Sequence, residues 1–246
     1  MRALAVRYCH VGIRMNIIPA MNTISSQKSG LSAGKPPIGL SDFPRLIREG
    51  YCYVDKSLLI RSVLDSPAQV LLLPRPRRFG KTLNLSMLRA FFDRNMIDSA
   101  ELFRGLAIEQ AGEEYTVHQG RYPVVFLTLK DVKTLNWDDC LGHLRQVISG
   151  EFKRHEILLE GGFLDTEEQK QFQKVRACEC AGYELERSLS NLLTWLERAT
   201  GEQVVLLIDE YDTPIHAGYQ SGFYEEITGF MRNWLSGALK DHASLK

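Results

Sequence analysis

The stretch LLLPRPRRFGKTLNLSML, residues 71 to 88, runs from apolar residues through a basic turn into a pattern typical of a helix. The apolar run QVLLLP, residues 69 to 74, is short and bounded by proline on both sides, which predicts a strand buried on both faces of a parallel sheet. The turn ends in Gly80-Lys81-Thr82, near which we expect the helix to begin. A strand, a turn with this ending and a helix form the order of a phosphate-binding loop.

The residues of this ending supply the groups that are needed to bind a nucleoside triphosphate. Gly80 allows a close approach of the backbone, Lys81 supplies a cation for the terminal phosphates, and Thr82 supplies a hydroxyl for Mg²⁺. Lys81 is therefore a candidate catalytic residue as well as a binding residue, and Thr82 is a candidate metal ligand.

The start of the turn departs from the usual pattern G-x-x-x-x-G-K-[ST]. Arg75 stands where that pattern has glycine and adopts positive φ less readily, so we expect the turn to differ in shape, with Pro76 fixing its own φ. Arg77, Arg78 and Phe79 complete the candidate nucleotide-binding set together with Arg75. The alternative is an exposed basic turn that happens to contain GKT.

A second motif, VVLLIDE at residues 204 to 210, ends a buried strand in two carboxylates. Phosphoryl-transfer sites of this class place an acid at the end of such a strand to hold Mg²⁺, and Asp209 fits that role. Glu210 is the candidate catalytic base that orients water, with Asp212 next in order. Strands often end in acids, so this motif alone is weak, but the two motifs in this order predict a nucleotide site.

The remaining pattern alternates strands with helices. YPVVFLTLKDV, residues 122 to 132, is a further strand candidate, and residues 34 to 57 are rich in turn residues. Amphipathic helices are predicted from Trp137, over 183–199 and over 223–240. Thr166 with Gln169 resembles a capping box, and His216 is expected in a loop. The alternation predicts an α/β fold with a mostly parallel sheet.

Four segments together resemble the AAA-ATPase-like family, whose members carry RPRRFGKT in place of the glycine-started loop. The resemblance covers residues 37 to 246 and rests on PIGLSDFPRLIREGYCYVDKS, LLLPRPRRFGKTLNLSMLRAFFD, YPVVFLTLKDV and VVLLIDEYDTPIHAGY. It implies a P-loop NTPase of the additional-strand type, a three-layer sandwich with sheet order 5-1-4-3-2. It also implies ATP and Mg²⁺ as ligands, and a Tyr53 segment that walls the adenine pocket, for which ordinary packing is the alternative.

The resemblance also implies a longer protein. Family members continue into further ATPase elements and a domain that resembles restriction endonucleases, so the chain is expected to be truncated at its C-terminus. In the implied sheet order another strand lies between those that lead to Lys81 and Asp209, and no segment of the sequence supplies it. We therefore expect weak or absent ATPase activity in this chain, although the complete protein would be an ATPase.

Charge and cysteine content limit the other classes of function. Thirty basic and thirty acidic residues cancel. Residues 1–36 hold five basic residues and no acid, +5, so the remainder carries 25 basic and 30 acidic residues, −5. We interpret 1–36 as a basic disordered tail and 37–246 as one ATPase domain. No apolar run is long enough to span a membrane, and five cysteines without a disulfide pattern favour the cytoplasm.

The sequence thus predicts a domain that binds and hydrolyses ATP, with an unknown protein partner. A nucleotide-binding switch without turnover is one alternative. A module that binds nucleic acid nonspecifically through the arginines is another, which the negative charge of residues 37–246 disfavours. Apart from this alternative, we expect contact with nucleic acid only through the C-terminal part that the family resemblance implies.

Overall fold

The computed structural model describes residues 34–73 and 79–246, together with the backbone of residues 16–17. The chain divides into two compact units: an N-terminal unit, Met15–Tyr122, and a C-terminal unit that contains Pro123–Lys246. Both contain helices and parallel strands, which confirms the α/β class.

The N-terminal unit holds the GKT ending. Its elements are β1 (Asn16–Ile17), α1 (Phe43–Arg48), α2 (Leu58–Leu64), β2 (Leu71–Leu72), α3 (Lys81–Phe92), α4 (Ser99–Leu102) and α5 (Glu113–Thr116). β1 and β2 are parallel, so part of the segment assigned to the tail pairs with the strand that precedes the loop. Tilted and edge-on aromatic rings lie in the core, with the Phe103 ring 5.1 Å from that of Phe43 and 5.2 Å from that of Phe91.

Two expectations for this unit are wrong. Leu71 and Leu72 are half-buried rather than buried on both faces. Helix α1 lies in a stretch that we interpreted as turns. Asp42 starts it by accepting a hydrogen bond from the Arg45 amide at 2.7 Å, and Pro44 is tolerated because it stands in the first turn.

The C-terminal unit is built on a parallel strand pair. Its elements are β3 (Val124–Thr128), α6 (Trp137–Arg154), α7 (Ile157–Glu160), α8 (Thr166–Arg176), α9 (Gly182–Thr200), β4 (Val205–Asp209), α10 (Thr213–Ser221) and α11 (Tyr224–Leu239). β3 and β4 pair along their whole length, from Val124 with Val205 to Thr128 with Asp209. The helices predicted from Trp137, over 183–199 and over 223–240 are confirmed within one residue at most boundaries.

The last residues of the chain pair with the beginning of β4. The Val204 amide donates to the Ser244 carbonyl at 2.7 Å, and the Lys246 amide donates to the Val204 carbonyl at 3.0 Å. Because Val205 bonds to Pro123 on the β3 side, these residues lie at the opposite edge of β4. We expected no segment to supply a strand at this edge. That expectation is wrong for the beginning of the edge, where residues 244–246 pair with Val204.

Two local expectations for this unit also change. The capping box of α8 is Asp165 with Glu168, one residue before the predicted pair Thr166 and Gln169, because the Asp165 carboxylate reaches both the Glu167 and Glu168 amides. His216 lies inside α10 and not in a loop. Within the described residues, no helix combines the length and apolar character required to cross a membrane.

Candidate functional site

The GKT ending lies at the start of α3, as the sequence predicts. Gly80 is the residue before the helix and has left-handed backbone angles, φ 74° and ψ 27°. Its carbonyl closes the first turn by accepting from the Asn84 amide at 2.9 Å. Gly80 has no side chain with which to cap this helix start, and the first turn of the helix holds no acid. An uncapped helix start next to a left-handed glycine is suited to bind an anion.

The structure describes some of the predicted loop residues and not others. Arg75, Arg77 and Arg78 lie outside the described residues. Phe79 is 59% exposed, so its ring is accessible to a ligand. Lys81 and Thr82 are half-buried.

Tyr53 occupies a packed position near α3. Its ring meets Phe43 edge-on at 5.4 Å, and its hydroxyl donates to the Met87 sulfur at 3.1 Å and accepts from the Lys56 amide at 3.3 Å. Burial raises the pKa of the Tyr53 phenol. These contacts are those of ordinary packing, and a role beside adenine stays a prediction.

The first acid of the second motif ends β4. Asp209 is only 3% exposed, and its carbonyl accepts from the Leu129 amide at 3.0 Å. Its register partner on β3 is Thr128. The buried hydroxyl of Thr128 has no hydrogen-bond partner in the described part of the chain, so two side-chain oxygen groups come from paired positions at the same end of the sheet.

The second acid has an unusual backbone. Glu210 has a φ of 51°, in the left-handed region that costs a residue with a side chain about 1–2 kcal/mol. The Thr213 amide donates to its carbonyl at 3.0 Å, and the Thr213 hydroxyl donates to its carboxylate at 3.2 Å. Strained residues of this kind cluster at functional sites, where the surrounding structure holds them. Asp212 and His216 lie nearby on exposed surface, with 3.8 Å between a carboxylate oxygen and Nε2.

Comparison with known proteins gives the family. A family model described as a predicted AAA-ATPase matches residues 37–246. The chain belongs to this AAA-ATPase-like family. It is also 30% identical over 187 residues to an uncharacterized protein in the vnfD 5' region of Azotobacter chroococcum mcd 1. That alignment covers 75% of this chain and 30% of the relative, so the chain spans less than a third of that protein. No solved structure matches.

Membership of the AAA-ATPase-like family indicates that the chain uses a nucleotide. Two side-chain oxygen groups of the chain also suit Mg²⁺, the cation that accompanies a nucleotide. Mg²⁺ takes oxygen ligands and is held in proteins by one or two carboxylates plus substrate phosphates. The buried Asp209 carboxylate and the Thr128 hydroxyl without a partner are groups of this kind. In the described ranges no group of three or more His, Cys, Asp or Glu side chains could hold a metal ion by itself.

Two residues near these motifs escaped the sequence analysis. Thr128 gives no functional signal in an apolar strand sequence, and its importance follows from its pairing with Asp209. Lys56 was passed over because it lies 25 positions before Lys81 in a segment considered only for Tyr53. Its position near Gly80 is visible only in three dimensions.

Proposed function

We propose that this AAA-ATPase-like chain binds Mg-ATP at the start of α3 and belongs to an ATP-hydrolysing protein. The observation that carries the proposal is the arrangement of β2, a left-handed Gly80 and an uncapped helix that begins at Lys81. Lys81 would neutralise the terminal phosphates, while Thr82 would contribute a hydroxyl ligand to Mg²⁺.

The proposed fold is the three-layer P-loop sandwich of the additional-strand type. In its sheet order, the strand that ends in Asp209 neighbours the strand that precedes it in the chain, and the pairing of β3 with β4 supports this. The same order puts another strand on the opposite edge of β4. The pairing of Leu245 with Val204 supports that position.

The acids would divide the chemistry between them. We assign to Asp209 the binding of Mg²⁺, which would supply positive charge to the phosphates. Glu210 would orient the attacking water and accept its proton as a general base. The left-handed backbone of Glu210 agrees with the assignment, since strain of this kind is frequent at functional sites, although Asp98, Cys178 and Asp241 share a positive φ without a role in the site.

A second candidate is a nucleotide-dependent switch without turnover. The carboxylate of Glu210 accepts a hydrogen bond from Thr213, and this contact competes with one to water. In a switch, nucleotide occupancy alone would change the affinity for a protein partner.

The test of binding is calorimetric titration of the chain with Mg-ATP. Lys81→Ala removes the cation that faces the phosphates and should weaken affinity at least tenfold, about 1.4 kcal/mol. Lys35→Ala is the matched control, because Lys35 is an exposed lysine of the same unit. Equal affinities for the wild type and Lys81→Ala would remove the phosphate-loop assignment.

A further inference from the structure

The ammonium group of Lys56 lies beside the phosphate loop. Its Nζ is 3.9 Å from the position that a β-carbon would take on Gly80, the residue before Lys81. Both lysines belong to the N-terminal unit. The loop end therefore has a cation beside it that comes from a different segment of the chain.

The backbone on both sides of Lys56 is anchored by buried hydrogen bonds. The Asp55 carboxylate accepts from the Ala107 amide at 2.7 Å and from the Ser57 amide at 2.8 Å. The Ser57 hydroxyl, in a residue that is 0% exposed, accepts from the Ile108 amide at 3.0 Å. These contacts fix the point from which the Lys56 side chain extends, which reduces the entropy lost when it binds a ligand.

Among the described residues of the N-terminal unit, no acid pairs with the Lys56 ammonium group. In the part of the chain that the structure describes, Lys56 has no ion-pair partner, and both oxygens of the adjacent Asp55 already accept backbone amides. The first turn of α3 contains no acid either. Since the positive end of the helix points to the same place, an anion would relieve repulsion between these groups.

We propose that Lys56 is a second phosphate-binding lysine, which contacts the phosphate chain of the nucleotide next to Gly80. This inference rests on the proposed function of the Gly80-Lys81-Thr82 ending and adds to it a residue outside the loop. The lysine recognises the polyphosphate and not the base, because the group that it approaches is the backbone of the phosphate loop.

The test compares four proteins by calorimetry: wild type, Lys56→Ala, Lys56→Arg and the control Lys35→Ala. Mg-ATP and inorganic tripolyphosphate are the probes, and the second has no base. Lys56→Ala should bind both probes roughly tenfold more weakly, the loss expected for one charge-assisted contact. Lys56→Arg keeps the charge and should remain within about threefold of the wild type. Unfolding temperatures should be equal for all four, because the Lys56 side chain is exposed.

The outcomes separate this inference from the function on which it rests. If Lys81→Ala loses affinity while Lys56→Ala binds both probes like Lys35→Ala, the role of Lys56 is wrong and the phosphate loop stands. If Lys56→Ala weakens Mg-ATP but not tripolyphosphate, the lysine acts on the nucleoside and the proposal is also wrong. If the wild type binds neither probe, both the inference and the proposed function are wrong.

Discussion

Left-handed backbone marks one residue in each of the two motifs. Gly80 has a φ of 74° and Glu210 has a φ of 51°. The first is expected from sequence, because glycine reaches this region without steric cost. The second could not be predicted, since a glutamate gives no signal of positive φ and the strand pattern of residues 204 to 208 suggests an extended continuation.

The role of Gly80 can be separated from its effect on stability. Among the described residues, the β-carbon of Gly80→Ala meets Lys56 Nζ at 3.9 Å and no closer atom, so its expected cost is the left-handed backbone, about 1–2 kcal/mol of unfolding free energy. Gly39→Ala is the matched control, with a φ of 72° and no atom of a described residue within 4 Å of the added carbon. Chemical denaturation should show similar losses for both variants, while only Gly80→Ala should bind Mg-ATP more weakly. Equal Mg-ATP affinity in the two variants would contradict a contact between Gly80 and the phosphates.

Glu210→Gln distinguishes the ATPase from the switch. Made at the matching position of a longer relative, the substitution keeps the shape of the side chain and its contact with Thr213 but removes the base, so turnover should fall by about 10² or more while Mg-ATP stays bound. Phosphate release and calorimetry measure the two quantities. A longer relative that binds Mg-ATP but releases no phosphate would favour the switch, and unchanged turnover in its variant would transfer the catalytic role to another residue, with Asp212 the next candidate.

At the scale of elements, one buried carboxylate ties α6 to β3. Glu151 accepts from the Phe126 amide at 2.9 Å, from Arg154 at 2.8 Å, and lies 3.2 Å from His155 Nε2. Burial acts to raise the pKa of this carboxyl, but the hydrogen bond with His155 and the charge of Arg154 outweigh it, and the pKa is lowered. The contact fixes the register between the helix and the strand that neighbours β4.

This carboxylate should make stability depend on acid. Glu151→Gln should lower the unfolding free energy at pH 7 by about 2 kcal/mol, less than the 3–5 kcal/mol of a fully buried pair because the Arg154 side chain is 30% exposed. Because the folded pKa is depressed, the stabilisation is present above the unfolded value of about 4.3 and is lost as the pH falls through the lower, folded pKa. The difference between wild type and variant should therefore shrink below about pH 4. Denaturation at several pH values checks this, with Glu167→Gln as an exposed control that should change little.

The hydroxyl of Thr128 gives an element-scale prediction of the opposite sign. Without nucleotide, Thr128→Val removes a buried group that lacks a partner among the described residues, so it should raise the unfolding free energy by about 1 kcal/mol. Thr200→Val is the comparison, since that hydroxyl donates to the Leu196 carbonyl at 2.7 Å, and it should lower stability by about 1 kcal/mol. A loss of stability in Thr128→Val would mean that the hydroxyl is satisfied without a ligand.

The elements that could be predicted from sequence are those with long periodic patterns. α3, α6, α9 and β4 follow from repeated apolar positions, and the GKT ending fixes where α3 begins. α1 and α10 were not predicted, because each is short and contains a proline in its first helical turn. Proline in a short segment is also typical of a loop. The pairing of residues 244–246 escaped because three residues carry no strand pattern.

At the scale of the whole molecule, the family model spans both units, since residues 37–246 include most of each. The N-terminal unit holds Lys81 and the C-terminal unit holds Asp209 and Glu210. Phosphoryl-transfer sites of this class use both a phosphate loop and an acid at a strand end, and the chain carries the two motifs in that order. The order of the two motifs can be read directly from the sequence, whereas the positions of Lys56 and Thr128 relative to them depend on the fold.

The central claim, that Mg-ATP binds at the start of α3, is tested most directly by amide hydrogen exchange with and without Mg-ATP. A helix start leaves amides without intrahelical acceptors, and bound phosphates would supply them. We expect Mg-ATP to slow exchange at residues 79–84, while the first turn of α11 exchanges at an unchanged rate in the same sample. Mg-ATP that binds without protecting residues 79–84, or that protects only another segment, would contradict the account.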